Sequence, residues 1–190
     1  MLTQSGIEII PGGGNAPALQ DIAVGLGRMP RFAGQTRGWW SVLHHSFVVE
    51  LFLRMSMGGG GSGPFYRPIR LAALLHDAHE AVTGDVPTTW KTADLKERQR
   101  ALDVRIGERY GVDLLAAHSL ISQADRAALL AEGQLVGPPG FAALEGAPGA
   151  GGIYAVEYVQ AKYPDPLDTI DPNGRAVRDF LTLVRELQDA

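Results

Sequence analysis

Leu71-Ala-Ala-Leu-Leu-His76-Asp77-Ala-His79-Glu80-Ala-Val-Thr-Gly84-Asp85-Val-Pro87 is the stretch on which the fold is read. Its first half is an unbroken run of good helix formers. Pro64 and Pro68 stand just upstream, where proline suits a helix entry. The spacing predicts a helix over Ile69–His79, a short helix or turn to Gly84, and a turn through Asp85-Val-Pro87. The apolar run ends on an imidazole and a carboxylate, groups that are seldom buried without partners.

Working outward, apolar residues keep the helical period. Ile22 and Leu26 mark a first helix over Leu19–Leu26. Val42, Val48, Val49 and Phe52, with His45 among them, mark a second that starts near Trp40 or Ser41. Downstream, Asp94 with Glu97 three residues on reads as a capping box. It opens a helix with Leu95, Leu102, Ile106 and Tyr110 on one face, ended by Gly111. Leu120, Ile121, Ala124, Ala128 and Leu129 mark a helix over 115–132, and a weaker one follows over 153–162. Asp171-Pro172 is expected to open the last, with Val177, Phe180, Leu181, Val184 and Leu187 inward. With no strand alternation and no internal repeat, the fold class is all-α. The 190 residues are expected to form a single domain, 1–190, with its motifs in 19–135 and helix 172–189 packed on them.

Composition narrows the function. The chain has no cysteine, which excludes a disulfide scaffold, a cysteine-type zinc site and a cysteine nucleophile. The net charge of −4, with a pI near 5.7 and no basic run, argues against a nucleic-acid polymer or an anionic membrane as partner. The start, MLTQSGIEII, lacks a secretory pattern, so a cytoplasmic location is expected. Glycine is the compositional outlier: 14 of the 24 fall in 12–14, 58–63 and 137–152. These stretches read as loop material, the last two as Gly-rich surface loops outside the site.

Four polar residues sit on apolar stripes: His45, His76, Asp77 and Asp125. Two histidines and two aspartates suit a divalent metal with mixed nitrogen and oxygen ligands. Taken singly, a buried histidine is more often a hydrogen-bonded core residue than a ligand, and a helical aspartate is more often a surface or capping group. Spacing does not show that the four converge, because they come from three separate helices. The zincin motif is absent, and so are the paired Glu-x-x-His motifs of a di-iron bundle.

The stretch 71–87 resembles the core of the HD-domain metal-dependent phosphohydrolases, in particular the small branch of bacterial 5′-deoxynucleotidases and phage dATP triphosphohydrolases. Thr3-Gln-Ser-Gly6, Asp21-Ile-Ala23, Arg31-Phe32-Ala-Gly34-Gln-Thr36 and Ser41-Val-Leu-His-His45-Ser46 are similar to the N-terminal half of the phage-type members, and Ala124-Asp125-Arg126 to the last ligand motif. The resemblance spans residues 1–135. It implies His45, His76, Asp77 and Asp125 as ligands of a divalent ion (Co, Mn, Zn or Mg), with His45 preferred over His44. It implies Glu80 as the group that orients or deprotonates the attacking water and Asp85 as a second catalytic acid. Arg31 corresponds to a phosphate-binding arginine, Lys91 is a second cation, and Phe32 and Pro87 wall the base or sugar. His79 is expected to be structural or to sit behind the ligands.

The implied function is metal-dependent hydrolysis of deoxynucleotides, first as a dATP-type dNTP triphosphohydrolase, alternatively as a 5′-deoxynucleotidase on dNMPs. A non-catalytic nucleotide- or metal-binding regulatory module is the alternative of another class. Self-association is implied by the resemblance alone. The chemistry fits the residue types. A divalent ion lowers the pKa of bound water and acts as a Lewis acid, a carboxylate takes the water's proton, and a guanidinium grips phosphate oxygens in pairs.

Overall fold

The computed structural model describes residues 1–10, 13–58, 63–141 and 147–189, and these contain helices but no strand. In chain order the α-helices are α1 Leu19–Arg28, α2 Val42–Ser56, α3 Arg67–Leu75, α4 Glu80–Thr83, α5 Ala93–Tyr110, α6 Leu114–Leu135, α7 Ala150–Lys162, α8 Leu167–Ile170 and α9 Arg175–Gln188. The protein is an all-α bundle, as its sequence predicts. Among the described residues, no helix is long and apolar enough to cross a membrane.

Helix α2 is the centre of the bundle. Every residue from Val42 to Leu51 is buried, and α3, α6 and α7 pack around it. Such all-round burial marks a core helix rather than a surface one. Helix α9 is the opposite case. Val177, Phe180, Leu181, Val184 and Leu187 are buried along one stripe, which rests on α1 and α3. The buried apolar side chains, from Ile9 to Leu187, form one cluster.

Two segments outside the α-helices are tied down by polar contacts. Ser5 donates to Asp21 Oδ1 through its backbone N–H and its hydroxyl, each at 2.9 Å. Arg109 donates to the Ala16 carbonyl at 2.7 Å and the Tyr110 hydroxyl to that of Pro17 at 2.8 Å, so the N-terminal segment straps α5 to the bundle. The loop carrying Arg31 is closed at its base, where the Arg31 N–H donates to the Trp40 carbonyl at 2.9 Å and the Val42 N–H to that of Met29 at 3.0 Å.

Several helix boundaries differ from the sequence reading. Helix α5 begins at Ala93, and its cap is Thr92, whose hydroxyl accepts from the Leu95 N–H at 3.2 Å. Asp94 lies inside the first turn and pairs with Arg98 at 2.9 Å. Helix α9 begins at Arg175 rather than Pro172, because the Asp171 carboxylate is used in a local turn, accepting from the Asn173 N–H at 2.8 Å. Helix α7 starts at Ala150, so Gly151 and Gly152 are helical, not loop. A Cβ on Gly152 would stand 3.0 Å from the Ala127 carbonyl, so this glycine lets α7 close on α6. The loop expectations for Gly12, for 59–62 and for 142–146 fall outside the described residues.

Gly27 shows how tight the packing is: a Cβ there would stand 2.2 Å from the Thr169 carbonyl oxygen. Gly27→Ala is therefore expected to cost about 1–3 kcal/mol, read as a fall in the urea midpoint. Gly38→Ala, where a Cβ meets nothing within 4 Å, is the control. Equal midpoints for the two variants would show that α1 and α8 do not depend on this backbone contact.

Candidate metal centre

Three helices deliver the four candidate ligands to one place. His45 comes from the first turn of α2, His76 and Asp77 from just past the end of α3, and Asp125 from α6. His45 Nε2 lies 3.0 Å from Asp125 Oδ1 and 3.7 Å from Asp77 Oδ2. His76 Nε2 lies 3.1 Å from Asp77 Oδ2. The convergence that spacing leaves open is present.

The other imidazole nitrogens are already committed. His45 Nδ1 is 3.0 and 3.1 Å from the two carboxylate oxygens of Glu132, and His76 Nδ1 is 2.9 Å from the Ala73 carbonyl. Both acceptors require an N–H, so each Nδ1 donates and, in the neutral ring, each Nε2 carries the lone pair. Both Nε2 atoms are buried and lack a hydrogen bond among the described residues. Lone pairs facing carboxylate oxygens at these distances repel unless a proton or a cation lies between them. Such a donor set, with each ring anchored from behind, could hold a divalent metal ion.

The electrostatics agree. Burial and Arg31 press the His45 imidazole down, but Glu132 and Asp125 outweigh them and raise it to about 10. Burial opposes ionisation of Asp77, yet His76 and His45 hold it well below the usual carboxylate range. Asp125 is lowered against burial by His45 and His76. Fields that hold protons on imidazoles equally attract a metal cation.

A cavity of about 510 Å³ opens beside the cluster, lined by Asp77, Asp125, Glu80, Asp85, Arg31, Phe32, Pro87, Lys91, Arg126 and Phe141, among others. Every candidate catalytic and substrate-binding residue reaches it. Burial, then Asp77 and Asp85, push the Glu80 carboxyl up to about 9 against Lys91 and Arg31. Lys91 Nζ is 3.5 Å from Glu80 Oε1, so it faces inward rather than serving as a surface charge. Asp85 is raised by burial, with Arg31 opposing.

Arg31 is more engaged than a simple phosphate clamp. Its guanidinium lies 3.4 Å from Glu132 Oε2 and 3.8 Å from Asp85 Oδ2, and these carboxylates raise its pKa despite burial. His44 turns away from the centre. Its Nδ1 accepts from the Ser41 N–H at 3.0 Å, the Ser41 hydroxyl caps α2 in return, and the ring stacks on Trp40. His79 Nδ1 pairs with Asp103 Oδ1 at 2.8 Å.

Two contributors escape sequence reasoning. Glu132 is 0% exposed and joins His45 to Arg31. It lies seven residues after Asp125 on α6, two turns along the same face, so the signal was in the spacing. Phe141 packs edge-on against Phe32 at 5.3 Å and lines the cavity. It belongs to the stretch 137–152, which was expected to lie wholly outside the site, and nothing in that low-complexity sequence marks it.

No family model matches the chain. An uncharacterized protein of Rhodobacter capsulatus is 47% identical over 78 residues, covering 40% of this chain and 37% of that protein. The uncharacterized protein YfdR of Escherichia coli is 30% identical over 96 residues, covering 50% of this chain and 47% of its own. Each match spans less than half of the relative's length.

Glu132→Leu would leave His45 and Arg31 facing each other in the core without their shared anion. The expected loss is about 3–5 kcal/mol, measured by urea unfolding with no added metal. A loss within experimental error would show that the network does not hold α2 against α6.

Proposed function

We propose that this chain is an HD-type metal-dependent phosphohydrolase that cleaves deoxynucleotides, first among them dATP, to deoxynucleoside and triphosphate. The observation that carries the reading is the meeting of His45, His76, Asp77 and Asp125 beside the cavity, with both Nε2 atoms turned toward the carboxylates and Asp77, Asp125 and Glu80 lining its wall. The resemblance of the sequence to this branch of enzymes supplies the substrate class. In this reading the enzyme acts on free nucleotides in the cytoplasm (the host cytoplasm if phage-encoded) and forms a homo-oligomer.

The residues divide the work by chemistry. A divalent ion (Co, Mn, Zn or Mg) held by the four ligands supplies Lewis-acid polarisation and a water of lowered pKa. Glu80 acts in its ionised form, which Lys91 and Arg31 favour against burial, and takes the proton of the attacking water as it bonds to phosphorus. Asp85 returns a proton to the departing 5′ oxygen. Arg31 and Lys91 hold phosphate oxygens, and Phe32, Pro87 and Phe141 wall the sugar and base. The cavity volume falls within the usual range of small-molecule sites, about 300–1,000 Å³.

One observation favours a second reading, a 5′-deoxynucleotidase acting on dNMPs. Arg31 and Lys91 already face Glu132, Asp85 and Glu80, and a monophosphate asks for less positive charge than a triphosphate. Incubation with each dNTP and dNMP in Mn²⁺, Co²⁺, Zn²⁺ or Mg²⁺, with chromatographic separation of products, decides between them. Triphosphate release supports the first reading and inorganic phosphate from dNMPs the second. No turnover of any nucleotide with any ion favours the regulatory binding module.

Asp77→Ala is expected to abolish metal binding at the four-ligand centre and activity together. Glu80→Ala is expected to lower turnover about 10²–10⁴-fold while the ion held by His45 and Asp125 stays bound, as measured by metal analysis of the dialysed protein. Loss of that ion in the Glu80 variant would show that Glu80 is a ligand of the metal centre instead.

A further inference from the structure

We propose that the protein carries a separate small-molecule site on the far side of α2 from the metal centre, and that its ligand is a small zwitterion, an ammonium and a carboxylate on an apolar body. The site is independent of the phosphohydrolase reading.

A cavity of about 360 Å³ is lined from α2, α3, α7 and α9. Phe47, Glu50, Leu51 and Arg54 reach it from α2. They stand at i, i+3, i+4 and i+7, so they share one face of the helix. His45 lies on the opposite face, toward Glu132 and Asp125. The floor is apolar. Phe47 and Tyr163 are stacked with centroids 5.1 Å apart, and Leu51 and Val159 are buried beside them. The volume sits at the small end of the range for small-molecule sites, about 300–1,000 Å³.

Among the described residues, the cavity is lined by three acids, Glu50, Asp179 and Glu186, and three bases, Arg54, Arg70 and Lys162. Four of these are paired. Glu50 is 4% exposed and accepts from Arg70 Nε at 2.6 Å. Lys162 Nζ lies 2.9 Å from Asp179 Oδ2, which also accepts from the Tyr163 hydroxyl at 2.8 Å. Two are left over. Arg54 Nε is 3.9 Å from Glu50 Oε1, too long for a hydrogen bond, and it is buried with no hydrogen bond among the described residues. Glu186 makes no ion pair or hydrogen bond among the described residues.

The leftover groups define the ligand. A buried donor without an acceptor is costly, and a carboxylate would satisfy Arg54 through a charge-assisted bond. Glu186 would take an ammonium. The formally neutral lining favours a guest of no net charge. A phosphate dianion would meet Glu50 and Asp179, and a simple amine would meet Arg54, Arg70 and Lys162. Phe47, Leu51 and Val159 offer burial to a short apolar body. An α-amino acid with an aliphatic or aromatic side chain has all three parts.

Isothermal titration of the full chain with L-leucine, L-methionine and L-phenylalanine tests this. Saturable binding of at least one of them is expected. Its N-acetyl form, which lacks the ammonium, and its amide, which lacks the carboxylate, should each bind about tenfold or more weakly. Arg54→Gln should bind the acid and the amide alike, and Glu186→Gln the free and N-acetyl forms alike. Both side chains reach solvent, so neither substitution empties the core. Failure of all three amino acids to bind at millimolar concentration overturns the proposal. So does binding that tolerates acetylation or amidation in the unaltered chain, or that survives undiminished in both variants. None of these outcomes involves nucleotide turnover or metal, so the reading of the metal centre stands or falls separately.

Discussion

Helix α2 has no solvent face from Val42 to Leu51, and this governs the rest of the structure. A polar group on it must find its partner inside the protein or lose the hydrogen bonds that water would supply. Each one does so. His44 and Ser41 cap the helix, the Ser46 hydroxyl donates to the Val42 carbonyl at 3.1 Å, and Glu50 accepts from Arg70 at 2.6 Å. His45 reaches Glu132, and through it Arg31 and Asp85. A line of charge thus runs from the middle of the bundle to the cavity.

Such a line is a poor way to stabilise a fold. Desolvation of buried ions consumes most of what their attraction returns, and well-packed apolar side chains often do as well or better. The apolar cluster around α2 is already extensive, so the bundle does not need ions to close. What the network achieves is orientation. Glu132 fixes which nitrogen of His45 bears hydrogen, the Ala73 carbonyl does the same for His76, and both rings turn the opposite nitrogen toward Asp77 and Asp125.

The helices were legible because burial imposes a period, and α9 follows that period closely. Boundaries were less so. Thr92 and Asp94 both make good caps, and only the backbone decides between them. Gly151 and Gly152 look like breakers until α2 is seen to lie against the first and α6 against the second. The candidate ligands were visible as charges on apolar stripes, but their meeting was not, since residues 45, 77 and 125 share no local spacing. Glu132 could have been found by its seven-residue step from Asp125. Phe141 could not, because its position depends on Gly133: a Cβ there would stand 1.9 Å from the ring, so the absent side chain makes the seat.

Phe32 and Ala33 carry φ values of 53° and 51°, and Gly34 follows at 78°. Left-handed backbone costs an ordinary L-residue about 1–2 kcal/mol, and here two such residues stand in succession where glycine would fit more easily. The turn brings the Arg31 guanidinium and the Phe32 ring to the same cavity. Selection for stability alone would favour glycine at 32 and would empty that wall. The loop therefore keeps an aromatic wall on this corner of the cavity against the local preference of its own backbone.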